Sequence, residues 1–253
     1  MRLDTTLILA GMNPVAEAGF PDVICPVIFL TGCNLRCPYC LNSSLVNSDL
    51  KQSKISLREV ASYLLDNGET NILISGGEPC INGDCLVDLA KLFCDLGIKV
   101  RLSTNGTYPT VLEMLLKADL LSFVAVDIKT NVFGDSLKMA LLAGHKSVEI
   151  AKCLALNINQ SLCDISSYAK NHKVFSYEVR TTLYPPTVDE DDIVAIAKHI
   201  PSDAVWVLQQ FRAKKGLLGG DDVASVVPYG NDVLDKMLNE AKRYVKNVSV
   251  RYP

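Results

Sequence analysis

The sequence predicts an α/β protein, a partial, open (β/α)6 barrel of the TIM type with parallel strands, and three observations carry that expectation. Short apolar, β-branched runs alternate with amphipathic segments of helical period. Their pace suits strands joined by crossover helices, which makes the strands parallel. The residues least like core, namely glycines, amides and charges, fall just after the runs rather than inside them.

The strands are expected at VICPVIFL (Val23 to Leu30), NILIS (Asn71 to Ser75), IKVRLS (Ile98 to Ser103), LSFVAVDIK (Leu121 to Lys129), KVFSYEVRTTL (Lys173 to Leu183) and AVWVLQQF (Ala204 to Phe211). Between them, SLREVASYLLDNG reads as a helix with Ser56 as N-cap, Glu59 completing a capping box and Gly68 just past the end. VDEDDIVAIAKHI is a second clear helix, acidic in its first turn and basic at its end. Gly32 and Cys33 follow the first strand and Gly76 to Glu78 the second. Thr104 to Gly106 follow the third, Asp127 to Lys129 close the fourth, and Arg180 to Thr182 and Gln209 to Gln210 end the last two. In a β/α barrel such C-terminal ends share one face, where chemistry is placed. Six units cannot close an eight-stranded barrel, so an arc with one accessible side follows.

No repeat, low-complexity tract or Pro/Gly/Ser linker divides the 253 residues, which read as one domain (1–253) with a cysteine loop at 31–45, a barrel over about 23–211 and a C-terminal extension at 212–253. The composition is 49% hydrophobic and 21% charged with a formal net charge of -3, so no basic surplus calls for nucleic acid or an anionic membrane. The N-terminal stretch carries Asp4 among apolar residues and lacks a cleavage pattern, which argues against a secretory signal, and no run approaches a membrane span. Nine cysteines, an odd number, point to a reducing, cytoplasmic compartment rather than a disulfide framework.

Three of those cysteines, Cys33, Cys37 and Cys40 in GCNLRCPYC, stand at the spacing C-x3-C-x2-C. Iron–sulfur clusters usually take four thiolates, so three in one compact loop imply an iron left open to a non-protein ligand. A structural zinc knuckle is the alternative, but zinc in a closed site takes four ligands and none of the three histidines, His145, His172 and His199, is near in sequence. In SGGEPC, Gly76 and Gly77 permit close backbone approach and Glu78 can accept a charge-assisted bond from an ammonium group, although a strand-ending turn broken by Pro79 needs no ligand. Asp127 and Lys129 alternate onto one side of their strand, facing the barrel mouth or pairing with each other.

Together the cysteine loop, with Tyr39 before its last Cys, and the GGEP segment resemble the radical S-adenosylmethionine (SAM) enzymes. That resemblance implies the partial (β/α)6 barrel and a 4Fe-4S cluster on Cys33, Cys37 and Cys40, whose open iron chelates the amino and carboxylate groups of SAM. It implies reductive cleavage to methionine and a 5'-deoxyadenosyl radical. It also implies that Tyr39 shields the adenine side and that Gly76, Gly77 and Glu78 meet the methionine ammonium. Ser103, Thr104 and Asn105 would bond the ribose or carboxylate, and Arg180 would meet the carboxylate or a partner's loop, unless it only lines the barrel with a salt bridge. Asp127 and Lys129 resemble the D-x-K of the glycyl-radical-enzyme activase branch, and VRTTLYPPTVDEDDI and VLQQF look like segments of activating proteins for anaerobic ribonucleoside-triphosphate reductase. The expected partners are therefore a glycyl radical enzyme and a flavodoxin or ferredoxin as electron donor. Leu41 stands where many activases carry His, which leaves the substrate open, and Ser103 where they often carry an acid, which bears on its own role in cation or cofactor binding. Two alternatives are a radical SAM enzyme acting directly on a metabolite, like 7-carboxy-7-deazaguanine synthase, and a non-enzymatic iron–sulfur or zinc module. Cys80, Cys85 and Cys94 are expected as buried hydrophobes or an auxiliary cluster, and Cys25, Cys153 and Cys163 as core positions.

Overall fold

The structure, a computed structural model, describes residues 7–16, 23–46, 53–144 and 147–253. Asp4 and His145 lie outside the described residues. One sheet of eight strands runs in chain order: β1 (Leu9–Ala16), β2 (Cys25–Leu30), β3 (Asn71–Gly76), β4 (Lys99–Thr104), β5 (Phe123–Asp127), β6 (Ser176–Leu183), β7 (Val205–Gln210) and β8 (Asn247–Arg251). The helices are α1 (Ser43–Val46), α2 (Leu57–Asp66), α3 (Asp84–Asp95), α4 (Pro109–Lys117), α5 (Ser136–Ala143), α6 (Val148–Asn171), α7 (Glu190–Ala197), α8 (Gly220–Ala224) and α9 (Asn231–Lys242).

The six expected strands are β2 to β7, each parallel to the next and joined through helices. Two edge strands come in addition. β1 lies antiparallel to β2, interrupted by register shifts between Leu9 and Gly11 and between Asn13 and Ala16. Gly11 and Pro14 spoil its apolar alternation, and Pro cannot donate to a central ladder, so it is legible only as an edge. β8, in the segment expected as an extension, continues the sheet beyond β7 through short NVSVR. No pairing joins β1 to β8 among the described residues, so the arc is open.

The local signals fold as their chemistry dictates. Ser56 Oγ accepts from Glu59 N while Glu59 reaches back to Ser56 N, the reciprocal capping box that starts α2. Asp189 and Asp192 do the same at the head of α7. Strand residues alternate between faces. On β5, Val124 and Val126 pack outward into the large helix-covered core, while Phe123 and Ala125 join Cys25, Val27 and Leu73 in a separate cluster on the concave side. The cysteines follow suit with one correction. Cys25 and Cys80 are buried, and Cys85 and Cys94 pack half-buried against the core, but Cys153 and Cys163 are exposed. α6 spans 24 residues and buries the stripe Ala151, Ile158, Leu162 and Ile165, which turns both thiols to solvent.

Trp206 on β7 is fully buried, and its indole N–H donates to Thr181 Oγ1 of β6 at 3.1 Å. Trp206→Ala is expected to cost about 3–5 kcal/mol of folding stability, read from the urea midpoint.

Candidate active site at the C-terminal rim

The loop after β2 begins with Gly32 in the left-handed region (φ 86°), which turns the chain back across the strand ends. Leu35 is buried as its anchor, and Cys40 N donates to Cys37 O at 3.0 Å to close the second half of the motif. Arg36 Nη1 donates to the carbonyls of Cys33 (2.7 Å) and Leu35 (3.0 Å). Cys37 is buried, whereas Cys33 and Cys40 are partly exposed, and all three line a cavity of about 340 Å³ between the loop and the concave face. Burial raises the Cys33 thiol and pushes Cys37 up to about 12. Thiols in such surroundings become thiolates when a metal centre takes them. His172 and His199 stack on Tyr168 and Phe133, and neither lines the cavity. The cavity is thus lined by three soft sulfurs and, among the described residues, by no fourth thiol and no imidazole, a donor set that fits a cluster completed from outside the chain.

The second strand end is laced to this loop through its backbone. Gly77 N donates to Leu30 O (3.0 Å) and Glu78 N to Gly32 O (2.8 Å). A Cβ on Gly76 would lie 2.1 Å from Leu30 O, and one on Gly77 2.0 Å from Gly32 O. The glycines therefore serve the approach of one loop to the other. Glu78 is fully buried; its Oε1 accepts from Cys80 N (3.0 Å) and Thr104 Oγ1 (2.7 Å), and its Oε2 from Asn105 N (2.6 Å). Burial raises this carboxyl and the three bonds oppose that rise.

The third strand end is locked to the first through Asn105, a predicted residue, and through Asn34 and Thr107, which sequence reasoning missed. Asn105 Nδ2 donates to Asn34 Oδ1 (2.9 Å), Asn34 Nδ2 donates to Thr107 Oγ1 (2.9 Å), and Thr107 Oγ1 donates back to Asn105 Oδ1 (2.6 Å). α6 supports the turn from behind, Ser161 Oγ donating to Gly106 O (2.8 Å) and Asn157 Nδ2 to Thr107 O (3.0 Å). Asn34 sits between Cys33 and Cys37, where nothing but its position inside the cysteine motif marks it. Asn42, also missed, donates from Nδ2 to Gly76 O at 3.1 Å.

Across the cavity the wall is ionic. Lys129 Nζ lies 3.1 Å from Asp127 Oδ2, and Arg180 Nε donates to Asp127 Oδ1 at 2.6 Å. Arg180 also donates through Nη2 to Ser103 Oγ. Glu178, two residues before Arg180 on the same face, stands 3.9 Å from its Nε and 3.4 Å from Nη2 of Arg251 on β8. Burial opposes ionisation of Asp127, but the Arg180 guanidinium and Lys129 ammonium outweigh it and hold the carboxyl below its ordinary range. Glu178 goes the other way, burial prevailing over its two guanidinium neighbours. The E-V-R alternation on β6 was a readable signal for Glu178; Arg251 had none, because β8 was not expected. Tyr39 is buried, leans on Tyr184 with ring centroids 5.0 Å apart, and donates through its hydroxyl to Lys129 O at 3.2 Å. Apart from the neighbours that brace them, all thirteen sequence-predicted residues, Cys33, Cys37, Tyr39, Cys40, Gly76, Gly77, Glu78, Ser103, Thr104, Asn105, Asp127, Lys129 and Arg180, line this one cavity.

Two outcomes test the geometry. Gly77→Ala must push the two loops apart, so the reconstituted variant is expected to hold several-fold less iron per chain than wild type, while Gly83→Ala, where no atom lies within 4 Å of the added Cβ, keeps its iron despite a strained φ. Asp127, whose folded pKa is lowered below 3.8, contributes stability that is present above that value and lost as pH falls through the lowered one. Asp127→Asn is therefore expected to be less stable at neutral pH and to lose less on acidification, both read by urea unfolding.

The model of the radical SAM superfamily matches residues 27–132. A protein of Methanocaldococcus jannaschii provisionally named as a glycyl-radical enzyme activating enzyme is 30% identical over 247 residues, 96% of this chain and 95% of the relative. A 7-carboxy-7-deazaguanine synthase of Methanospirillum hungatei is 26% identical over 200 residues, 78% and 77% of the two chains. Among solved structures, coproporphyrinogen III oxidase from Escherichia coli, described as a radical SAM enzyme, superposes with a TM-score of 0.52 at 12% identity, over 86% of this chain and 51% of that one. The open barrel, the three thiols without a fourth and the full-length likeness agree: the chain belongs to the radical S-adenosylmethionine superfamily, whose enzymes use a 4Fe-4S cluster and SAM.

Proposed function

We propose that this radical SAM enzyme is a glycyl-radical-enzyme activating enzyme, of the kind that serves an anaerobic ribonucleotide reductase, with a flavodoxin or ferredoxin as electron donor. The observation that carries it is the three-thiol loop opening on a cavity whose far wall is ionic, in a chain resembling the methanogen protein along nearly its whole length. Cys33, Cys37 and Cys40 would hold a cluster that, when bound, supplies the electron for splitting SAM to methionine and a 5'-deoxyadenosyl radical, which would take a hydrogen atom from a glycine Cα of the partner.

The chain's residues hold and orient. A carboxylate offers about four lone-pair sites, and Glu78 has given up three, so one remains for the methionine ammonium. Ser103 and Asn105 face the ribose and carboxylate, Tyr39 covers the adenine side, and Arg180 and Lys129, fixed by Asp127, present positive charge without free side-chain rotation. A second cavity of about 220 Å³ shares Tyr39, Leu41, Thr182 and Gln209 with the first and runs along the rim to Arg251 and Tyr252 at the sheet edge. An elongated mouth with amides along it suits an extended peptide better than a compact metabolite.

Anaerobic, reconstituted enzyme with dithionite and SAM is expected to release 5'-deoxyadenosine, and Cys37→Ala to abolish it. Adding the glycyl radical partner should give an organic doublet by electron paramagnetic resonance. The likeness to the Methanospirillum synthase supports a second reading, direct action on a metabolite. A small molecule consumed with no protein radical formed would favour that reading and sink the activase.

A further inference from the structure

If nucleotide and substrate fill the cavity together, the electron must reach the thiol loop from its other side. That outer edge rests on two contacts. At one end, Arg36 N donates to Leu142 O in the last turn of α5 at 2.5 Å, where a Cβ on Gly144 would lie 2.9 Å from Arg36 Cγ. At the other, Gly219 N donates to Pro38 O (2.8 Å) and Ser43 Oγ to Gly216 O (3.0 Å). Pro38 follows Cys37, and Pro38 and Ser43 stand on either side of Cys40 in sequence, so the segment after β7 lies against the stretch of loop that carries two of the three thiols.

That segment reads Arg212-Ala213-Lys214-Lys215-Gly216, every residue of it exposed; Arg212 borders the second cavity, whereas Lys214 and Lys215 line neither cavity. Among the described residues, none of Arg36, Arg212, Lys214 and Lys215 forms an ion pair. The next acids in sequence, Asp221 and Asp222, lie on α8, beyond the Gly219 anchor. In a chain of net charge -3, unpaired cations are thus gathered against the outer edge of the cysteine loop. Leu137 and Leu141, 65% and 61% exposed on α5, add apolar surface next to Arg36.

We infer that the 214–216 segment is the docking site of an acidic one-electron carrier protein, seated on the outside of the cysteine loop while the cavity faces the substrate. This rests on the cluster reading above. Unpaired exposed lysines steer an oppositely charged partner at little desolvation cost, and a small charged contact lets it leave after each turnover. One electron leaves the carrier's reduced cofactor and enters the cluster, and no atom is transferred. The Ser43 Oγ to Gly216 O hydrogen bond ties the docked segment itself to the loop three residues after Cys40, and the Gly219 to Pro38 bond holds the chain just beyond it against the residue next to Cys37.

The test mixes reconstituted holoenzyme with an acidic flavodoxin in its hydroquinone state and follows bleaching of the cluster absorbance by stopped flow. Lys214→Glu/Lys215→Glu is expected to slow this reduction by on the order of tenfold at low ionic strength, a gap that narrows as salt is raised. Lys214→Gln/Lys215→Gln should lose less, and reduction by photoreduced 5-deazaflavin should be equal in all three proteins. Equal flavodoxin rates in wild type and the Glu variant, or rates indifferent to salt, overturn the docking site. Failure of wild type to form 5'-deoxyadenosine with dithionite overturns the proposed activity instead, a separate readout from cluster reduction.

Discussion

Everything at the rim depends on two backbones coming closer than side chains allow. Leu30 to Cys33 and Gly76 to Glu78 share a pair of hydrogen bonds, and the two glycines leave room for the carbonyls of Leu30 and Gly32 where any Cβ would collide. That contact makes the cysteine loop an outgrowth of the sheet rather than a free excursion, so the thiols inherit the rigidity of β2 and β3. Buried Glu78 then passes this order to the next strand end, accepting from Thr104 and Asn105. Asn105 returns it to the cysteine loop through Asn34. Three strand ends are thereby closed into a ring of hydrogen bonds in which each loop is held by the other two, and sites built on such rigid elements keep their geometry.

The concave face divides along the sheet. Toward β2, β3 and the base of β5 it is apolar, with Val27, Leu73, Phe123 and Ala125 packed as a small second core. Toward β6 and β8 it is ionic, a chain of charges running from Lys129 through Asp127, Arg180 and Glu178 to Arg251. A buried carboxylate between guanidiniums is costly to break and fixes the groups around it in one arrangement. The cavity therefore offers an incoming molecule one greasy and one charged wall, a basis for orientation that needs no movement of the chain.

Much of this was legible because chemistry and period coincide. The strands β2 to β7 announced themselves by β-branched runs, and the residues just beyond each run proved to share one cavity, since parallel strands bring their C-terminal ends together whatever their separation in sequence. The edge strands were hidden for opposite reasons. β1 carries Gly and Pro where a strand signature needs apolar alternation, and β8 is only five residues long. Asn34, Asn42 and Thr107 were hidden because an amide or hydroxyl in a loop suits water as well as a partner. Only the three-dimensional neighbour distinguishes the two. Cys153 and Cys163 misled because a thiol's usual preference for the interior was overridden by the phase of a long helix.

Among the described residues no pairing joins β1 to β8, which leaves the arc without the closing ladder by which a complete barrel sets its own girth. Glu178 and Arg251, reaching over β7 to one another, take on part of that task as a strut between the sixth and eighth strands. On that flank the ion pair adds to the ladders that join β6, β7 and β8, so the curvature beside the open edge rests first on backbone hydrogen bonds and second on charge.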